Sequence, residues 1–227
     1  MGEMVKFASN GAEAEGYLAL PDGKGPGVIV LQEWWGLNAD IKEIADRFAG
    51  EGFVALAPDM YHGRAATEPD EARKLVMGMQ LDAAARDLSG AYDFLIACKD
   101  VQPRKVGSVG FCMGGSLAVF VAALKPLDAA VTYYGGVRDP AMLARVGDVS
   151  CPVLGHFAEL DESTGRAPEL EAKLREAGVP VEWHVYAGAH HSFFNKTRPE
   201  MHHEKAAAES WERTLAFFRK HLSDKED

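Results

Sequence analysis

The chain has 227 residues, about 24.6 kDa, 47% hydrophobic and 26% charged residues, and a formal charge of −10. That length suits one domain spanning 1–227, able to bury roughly 70–75% of its unfolded surface. The acidic balance argues against nucleic acid or an anionic membrane surface as partner. No apolar run reaches membrane-spanning length, and Met1-Gly2-Glu3-Met4 is not a basic, apolar leader.

Elements alternate from the N-terminus onward. Glu13–Leu20 with the turn Pro21-Asp22-Gly23 predicts an N-terminal antiparallel hairpin. Gly27–Leu31 is a continuous apolar run of the buried, parallel kind. Ile41, Ile44, Ala45 and Phe48 give Asp40–Gly50 helical spacing, stopped at Gly50 and Gly52. Phe53–Leu56 reads as a strand halted before Pro58, and helical patterns follow over Pro69–Met79 and Leu81–Cys98. Next come a strand leading to Gly110, an all-round apolar helix after Cys112, a strand over Ala129–Tyr134 and a short helix near Pro140–Val146. Pro152–Phe157, a helix over Ala167–Ala177, Val181–Tyr186 and a long helix over His203–His221 complete the pattern. Strands alternating with helices predict an α/β fold, a mostly parallel central sheet covered on both faces, with no large cap domain. In such sheets, sites form at the carboxyl ends of the strands.

One such end stands out. Gly110-Phe-Cys112-Met-Gly114 joins an apolar strand to an apolar helix. A sharp strand-to-helix turn lifts its middle side chain clear of the sheet, beside the helix N-terminus. Cys112 therefore reads as a nucleophile. A thiol in that role needs a base, a group orienting the base, and donors for the oxyanion. Asp161 follows the strand Pro152–Phe157, and His191 follows Val181–Tyr186. Nucleophile, acid, histidine is the chain order of the α/β-hydrolase fold. His191 is then the base, Asp161 its orienter, and the backbone N–H of Met113 one oxyanion donor.

The other readings of these residues are plainer. Cys98 and Cys151 read as small buried hydrophobes, and three widely spaced cysteines form no disulfide framework, so a cytoplasmic protein is expected. His190 competes with its neighbour for the role of base. His190-His191 and His202-His203 invite a metal reading, but no Cys or carboxylate completes a ligand set, so neither metal nor cofactor is expected. Asp59 follows an earlier strand and reads as structural. Ser108, Ser116 and Ser192 lack a glycine-flanked apex. Trp35, Phe111 and Tyr134 lie beside the catalytic positions as candidate pocket walls for a planar substrate, simple packing being the rival reading for Trp35. Of Tyr133 and Tyr134, alternate facing lets at most one reach the site.

Gly110-Phe-Cys-Met-Gly-Gly115, Asp161 and His191-Ser-Phe193 together resemble the dienelactone hydrolase (carboxymethylenebutenolidase) family, a cysteine branch of the α/β-hydrolases. Val28-Ile-Val-Leu-Gln-Glu33-Trp-Trp-Gly36-Leu-Asn38, Ala57-Pro-Asp59-Met-Tyr61 and Tyr133-Tyr-Gly135 resemble it too, so the likeness covers nearly the whole chain in order. The resemblance implies that Glu33 holds the resting thiol neutral until substrate displaces it. It also implies that the Trp34 N–H is the second oxyanion donor. The implied reaction is hydrolysis of a small lactone or ester through a thioester, by a protein expected to be monomeric. The family places a carboxylate-binding arginine where this chain has Asn195, which offers no fixed charge or bidentate fork. Lys196, Arg64 and Arg73 are the candidates to compensate. A rival reading keeps the fold without turnover, as a small-molecule binding or thiol-sensing protein.

Overall fold

The structure is a computed structural model and describes residues 1–9, 11–137, 139–162 and 167–224. Eight strands hydrogen-bond in the order β1-β2-β4-β3-β5-β6-β7-β8. They are β1 (Glu3–Ser9), β2 (Ala12–Ala19), β3 (Gly25–Leu31), β4 (Val54–Pro58), β5 (Val101–Phe111), β6 (Ala129–Tyr133), β7 (Val153–Ala158) and β8 (Val181–Tyr186). Among the described residues the α-helices between and after them are α1 (Ala39–Gly50), α2 (Pro69–Gly78), α3 (Leu81–Ala97), α4 (Met113–Leu124), α5 (Pro140–Ala144), α6 (Ala167–Glu176) and α7 (Glu204–Leu222). The longest stretch between consecutive strands, 59–100, holds α2 and α3. The chain divides into two compact units, Met1–Gly107 and Ser108–Ser223, with the boundary inside β5.

In the first unit the hairpin is formed by β1 and β2, with Glu3 opposite Leu18 and Ser9 opposite Ala12. The expected hairpin thus exists, but its turn is at Gly11 (φ +98°) and not at Pro21-Asp22-Gly23. Period-two alternation in Met4-Val-Lys-Phe-Ala8 gives β2 a partner on its N-terminal side. The Pro21–Gly23 turn instead carries the chain from β2, which also pairs antiparallel with β4, into β3. β3 and β4 run parallel, with Gly27 opposite Val54. Asn38 starts α1 by accepting the Ile41 N–H at 3.1 Å, and Ile41, Ile44, Ala45 and Phe48 form its buried stripe. Asp59 is structural, as its position suggests: its carboxylate accepts the N–H groups of Tyr61 (2.9 Å) and Gly63 (2.6 Å) in the turn after β4.

The second unit places the nucleophile turn. β6, β7 and β8 run parallel, with Tyr133 opposite His156 and His156 opposite His184. Every residue of β6 and of β7 is buried. Since successive side chains point to opposite faces, both faces of these strands are covered. α4 packs on β6, α7 on β6 and β7, and α6 on β8. α4 is buried almost all round, including Leu117, Phe120 and Val121. Each such side chain withdrawn from water contributes roughly 1.5–3 kcal/mol, so this helix is fixed by its surroundings rather than by exposed caps.

Candidate active site

Cys112 stands between the end of β5 and the first residue of α4, with φ +54° and ψ −115°. A non-glycine residue held there costs of order 1–3 kcal/mol and persists only where its surroundings over-determine it. The surroundings are glycine backbones. A Cβ on Gly110 would run into the carbonyl oxygen of Gly114, and one on Gly115 would lie 2.7 Å from Thr132 Oγ1. One on Gly135 would lie 2.6 Å from the Gly115 carbonyl carbon, so the start of α4 lies directly on the strip after β6. Two hydrogen bonds complete the turn: Cys112 N–H donates to Tyr133 O (3.0 Å), and Gly115 N–H donates to Cys112 O (3.0 Å).

The acid and the histidine come from neighbouring strand ends that are laced together. Glu159 N–H donates to Tyr186 O (3.1 Å), Leu160 N–H to Ala189 O (3.0 Å), and Gly188 N–H to the Glu159 carboxylate (2.8 Å). Lacing fixes the spacing of the loops that carry Asp161 and His191. His191 Nδ1–H donates to Asp161 Oδ2 at 2.6 Å; a carboxylate can only accept, which leaves Nε2 for the other side. The Asp161 side chain is 1% exposed and that of His191 25%, so the carboxylate is dry while the imidazole has one open face. Burial pulls the His191 pKa down, but hydrogen bonds to Asp161 and to the Cys112 side chain, together with their charges, push it up to about 10. Asp161 and His191 are therefore joined by a hydrogen bond in the second unit, with Cys112 close enough to help raise the His191 pKa. His190 is exposed.

The remaining candidates separate by environment. Tyr134 is buried and sets its ring edge-to-face against the His191 imidazole, 5.0 Å between centroids, whereas the Tyr133 hydroxyl bonds to Thr214 (2.8 Å). Phe111 is buried, stacked on Phe194 at 5.2 Å. Met113 opens α4, in the turn whose N–H groups lie outside the helical ladder. In the first unit, Glu33 is a carboxylate only 3% exposed just beyond β3, and the carbonyl of Trp34 accepts the Tyr61 hydroxyl (3.2 Å). Trp35 packs with Ala66 and Ala72, and Trp34 and Leu75 lie against that cluster. Ser108 is fully buried with its hydroxyl on Ala118 O, and burial pushes the Cys151 thiol up to about 12. Cys98 is only partly buried, at the end of α3. His203 caps α7, its Nδ1 accepting the Ala206 N–H at 3.2 Å. Among the described residues no three His, Cys, Asp or Glu side chains converge as a metal site.

The sequence profile of the dienelactone hydrolase family matches residues 14–222, most of the chain. The chain belongs to the dienelactone hydrolase family. It is 40% identical over 233 residues to "Protein usf" of Aquifex pyrophilus, covering 98% of this chain and all of that one. It is 38% identical over 232 residues to the "Putative carboxymethylenebutenolidase" of Aquifex aeolicus, again covering 98% of this chain and all of the relative. Among solved structures, the "Putative Dienelactone Hydrolase" of Klebsiella pneumoniae superposes with a TM-score of 0.85 at 29% identity, over 97% of this chain and 99% of that one. This dienelactone hydrolase family member is thus a hydrolase with the α/β-hydrolase fold, as its motifs imply. No helix among its described residues is long and apolar enough to cross a membrane.

Asn195, where the family resemblance implies an arginine, is 3% exposed, and its Oδ1 accepts both the Thr197 N–H (2.9 Å) and the Thr197 hydroxyl (2.6 Å). It shapes the loop after His191. Sequence reasoning passed over Gly135 as a packing partner of α4 and His156 as a buried polar hub. Both had a signal: a glycine directly after a strand end, and an imidazole inside a strand with no exposed position.

Proposed function

We propose that this family member is a cysteine-dependent hydrolase of small lactones or esters. One observation carries the reading: the His191 imidazole is hydrogen-bonded to Asp161 at 2.6 Å, and Cys112, at the apex of a strained strand-to-helix turn, acts with Asp161 to raise the His191 pKa. Cys112 Sγ attacks the acyl carbon, and the carbonyl oxygen becomes an oxyanion held by the Met113 and Trp34 N–H groups. The C–O bond then breaks as His191 protonates the leaving oxygen, which leaves a thioester on Cys112. Water, deprotonated by His191, attacks the thioester and releases the acid and the thiol. With a lactone, the leaving alcohol stays tethered to the acyl group through both steps, and the product is a single hydroxy acid or its keto tautomer. Trp35, Phe111, Tyr134 and Asn195 are the proposed substrate contacts, and the place of the Tyr134 ring against His191 supports that role for Tyr134.

The test is intact-mass trapping with slowly hydrolysed ester pairs that differ by one carboxylate. A covalent acyl adduct on Cys112 is expected. Uncharged and carboxylated members of a pair should label at similar rates, because Asn195 supplies no cation. Reversible binding without an adduct would overturn hydrolysis through Cys112 and favour the binding or thiol-sensing alternative.

The reading extends to Glu33 as the family likeness implies. A carboxylate that accepts the thiol proton in a hydrogen bond keeps sulfur in the less oxidisable form. Glu33→Gln is expected to raise the rate of peroxide inactivation at least about threefold, measured as loss of ester hydrolysis against time. Equal rates would remove the protective role.

A further inference from the structure

A chain of polar groups that the proposed reaction does not use runs through the second unit under the catalytic loops. Arg213 Nη1–H donates to the Tyr186 hydroxyl at 2.9 Å, and that hydroxyl lies 2.9 Å from His156 Nδ1. Because Tyr186 Oη accepts from Arg213, its own proton is directed at His156 Nδ1. His156 must then carry its proton on Nε2, which lies 3.1 Å from Thr214 Oγ1. The Thr214 hydroxyl meets the Tyr133 hydroxyl at 2.8 Å. His156 is fully buried, and burial first, then His184 and Arg213, keep its pKa well below the ordinary histidine value. It is a neutral, directional connector between α7 and β6, not a proton carrier at neutral pH.

Its importance lies in what β6 leads into. Tyr134 has φ +41°, a conformation that a bulky side chain seldom adopts and that its surroundings must enforce. His156 holds this residue from two sides. Its carbonyl oxygen accepts the Tyr134 N–H at 2.7 Å, and its ring packs 4.5 Å from the Tyr133 ring while anchoring the Tyr133 hydroxyl through Thr214. Tyr133 O in turn receives the Cys112 N–H, and the Tyr134 ring supports His191. We propose that His156 is a positioning residue, which uses the Tyr186 and Thr214 hydroxyls to lock Tyr133–Tyr134 and so keeps His191 seated against Cys112.

The inference rests on the Cys112–His191–Asp161 reading, so its test has a readout that does not require turnover. In Tyr186→Phe and Thr214→Val each ring or branched shape stays and one hydroxyl is lost. In His156→Phe both bonds are lost, and in His156→Gln a donor and an acceptor are kept. The pH dependence of Cys112 alkylation by iodoacetamide is measured beside kcat and KM for an aryl acetate. The single hydroxyl variants should lose about threefold to tenfold in kcat with KM unchanged, and His156→Phe about a hundredfold, since displacements of an ångström carry such costs. The alkylation midpoint should move away from the wild-type value, with His156→Gln partly restoring it. A purely structural role predicts a lower Tm with midpoint and kcat within twofold of wild type, and that result would overturn the proposal. If His156→Phe fails to fold, the two hydroxyl variants decide. A wild type that hydrolyses no ester, yet whose alkylation midpoint moves in these variants, would leave the positioning role standing and sink the hydrolase reading alone.

Discussion

Cys112→Ala is expected to lower kcat/KM for an aryl acetate by at least about 10⁴-fold, with Tm unchanged or raised. The size follows from the loss of the attacking atom. Deleting the nucleophile of a three-residue unit removes nearly all that the unit supplies, and only binding and oxyanion donors remain. Stability should move the other way. Alanine keeps the Cβ and removes a sulfur that makes no cap hydrogen bond to α4, while the strained backbone at φ +54° is the same. Steady-state rates and thermal melts on the same preparations separate the two effects. Wild-type rates in the alanine variant would move the chemistry to another nucleophile. Ser108 would be an unpromising one, since its hydroxyl is spent on the Ala118 carbonyl inside the core. Cys151 is no better, because burial holds its thiol protonated far above neutral pH.

The strand-to-helix turn at Cys112 was more legible than its supports. Apolar runs bounded by Gly and Pro gave β3, β4, β6 and β7 within about two residues of their ends, because buried strands carry a composition that loops cannot. The elbow was legible for a steric reason. Gly110 can lie against the Gly114 backbone only because it carries no Cβ, and a glycine two residues before the cysteine records that closeness in the sequence. The hairpin turn was misplaced because Pro21-Asp22-Gly23 has turn chemistry wherever it occurs, and nothing local tells which strand follows it. Asn195 illustrates a deeper limit. Its residue type announces the loss of a cation, but only the two bonds from Thr197 reveal that the side chain structures its own loop. The chain from Arg213 through His156 to Tyr133 was invisible for the same reason. Its members come from three strands and a helix, and no spacing rule joins residues 81 positions apart. Motifs record backbone constraints within one turn, while polar networks in the core depend on the assembled sheet.

Asp161→Asn separates the orienting role of the acid from the fold. Asp161 does two things for His191: it accepts Nδ1–H at 2.6 Å, and its negative charge stabilises the imidazolium. Asparagine removes the charge and can turn its NH₂ toward Nδ1, which favours the tautomer with the proton on the wrong nitrogen. A loss of about 10²–10⁴-fold in kcat is therefore expected, with little change in KM. The pH profile should move as well. The active pair needs the imidazolium to protonate the leaving oxygen, so its alkaline limb follows the pKa of His191, which Asp161 and Cys112 push up to about 10. Without the Asp161 charge that limb should shift to lower pH. Stability changes with the same sign. The folded-state pKa of His191 is raised above its unfolded value of about 6.5, so the charged form contributes fully below that value and its contribution fades as pH rises through about 10. Between pH 7 and pH 10 the Tm of the wild type should thus fall more than that of Asp161→Asn. Equal falls in Tm together with an unshifted alkaline limb would show that the charge on His191 owes nothing to Asp161, and the acid would be left as a hydrogen-bond acceptor only.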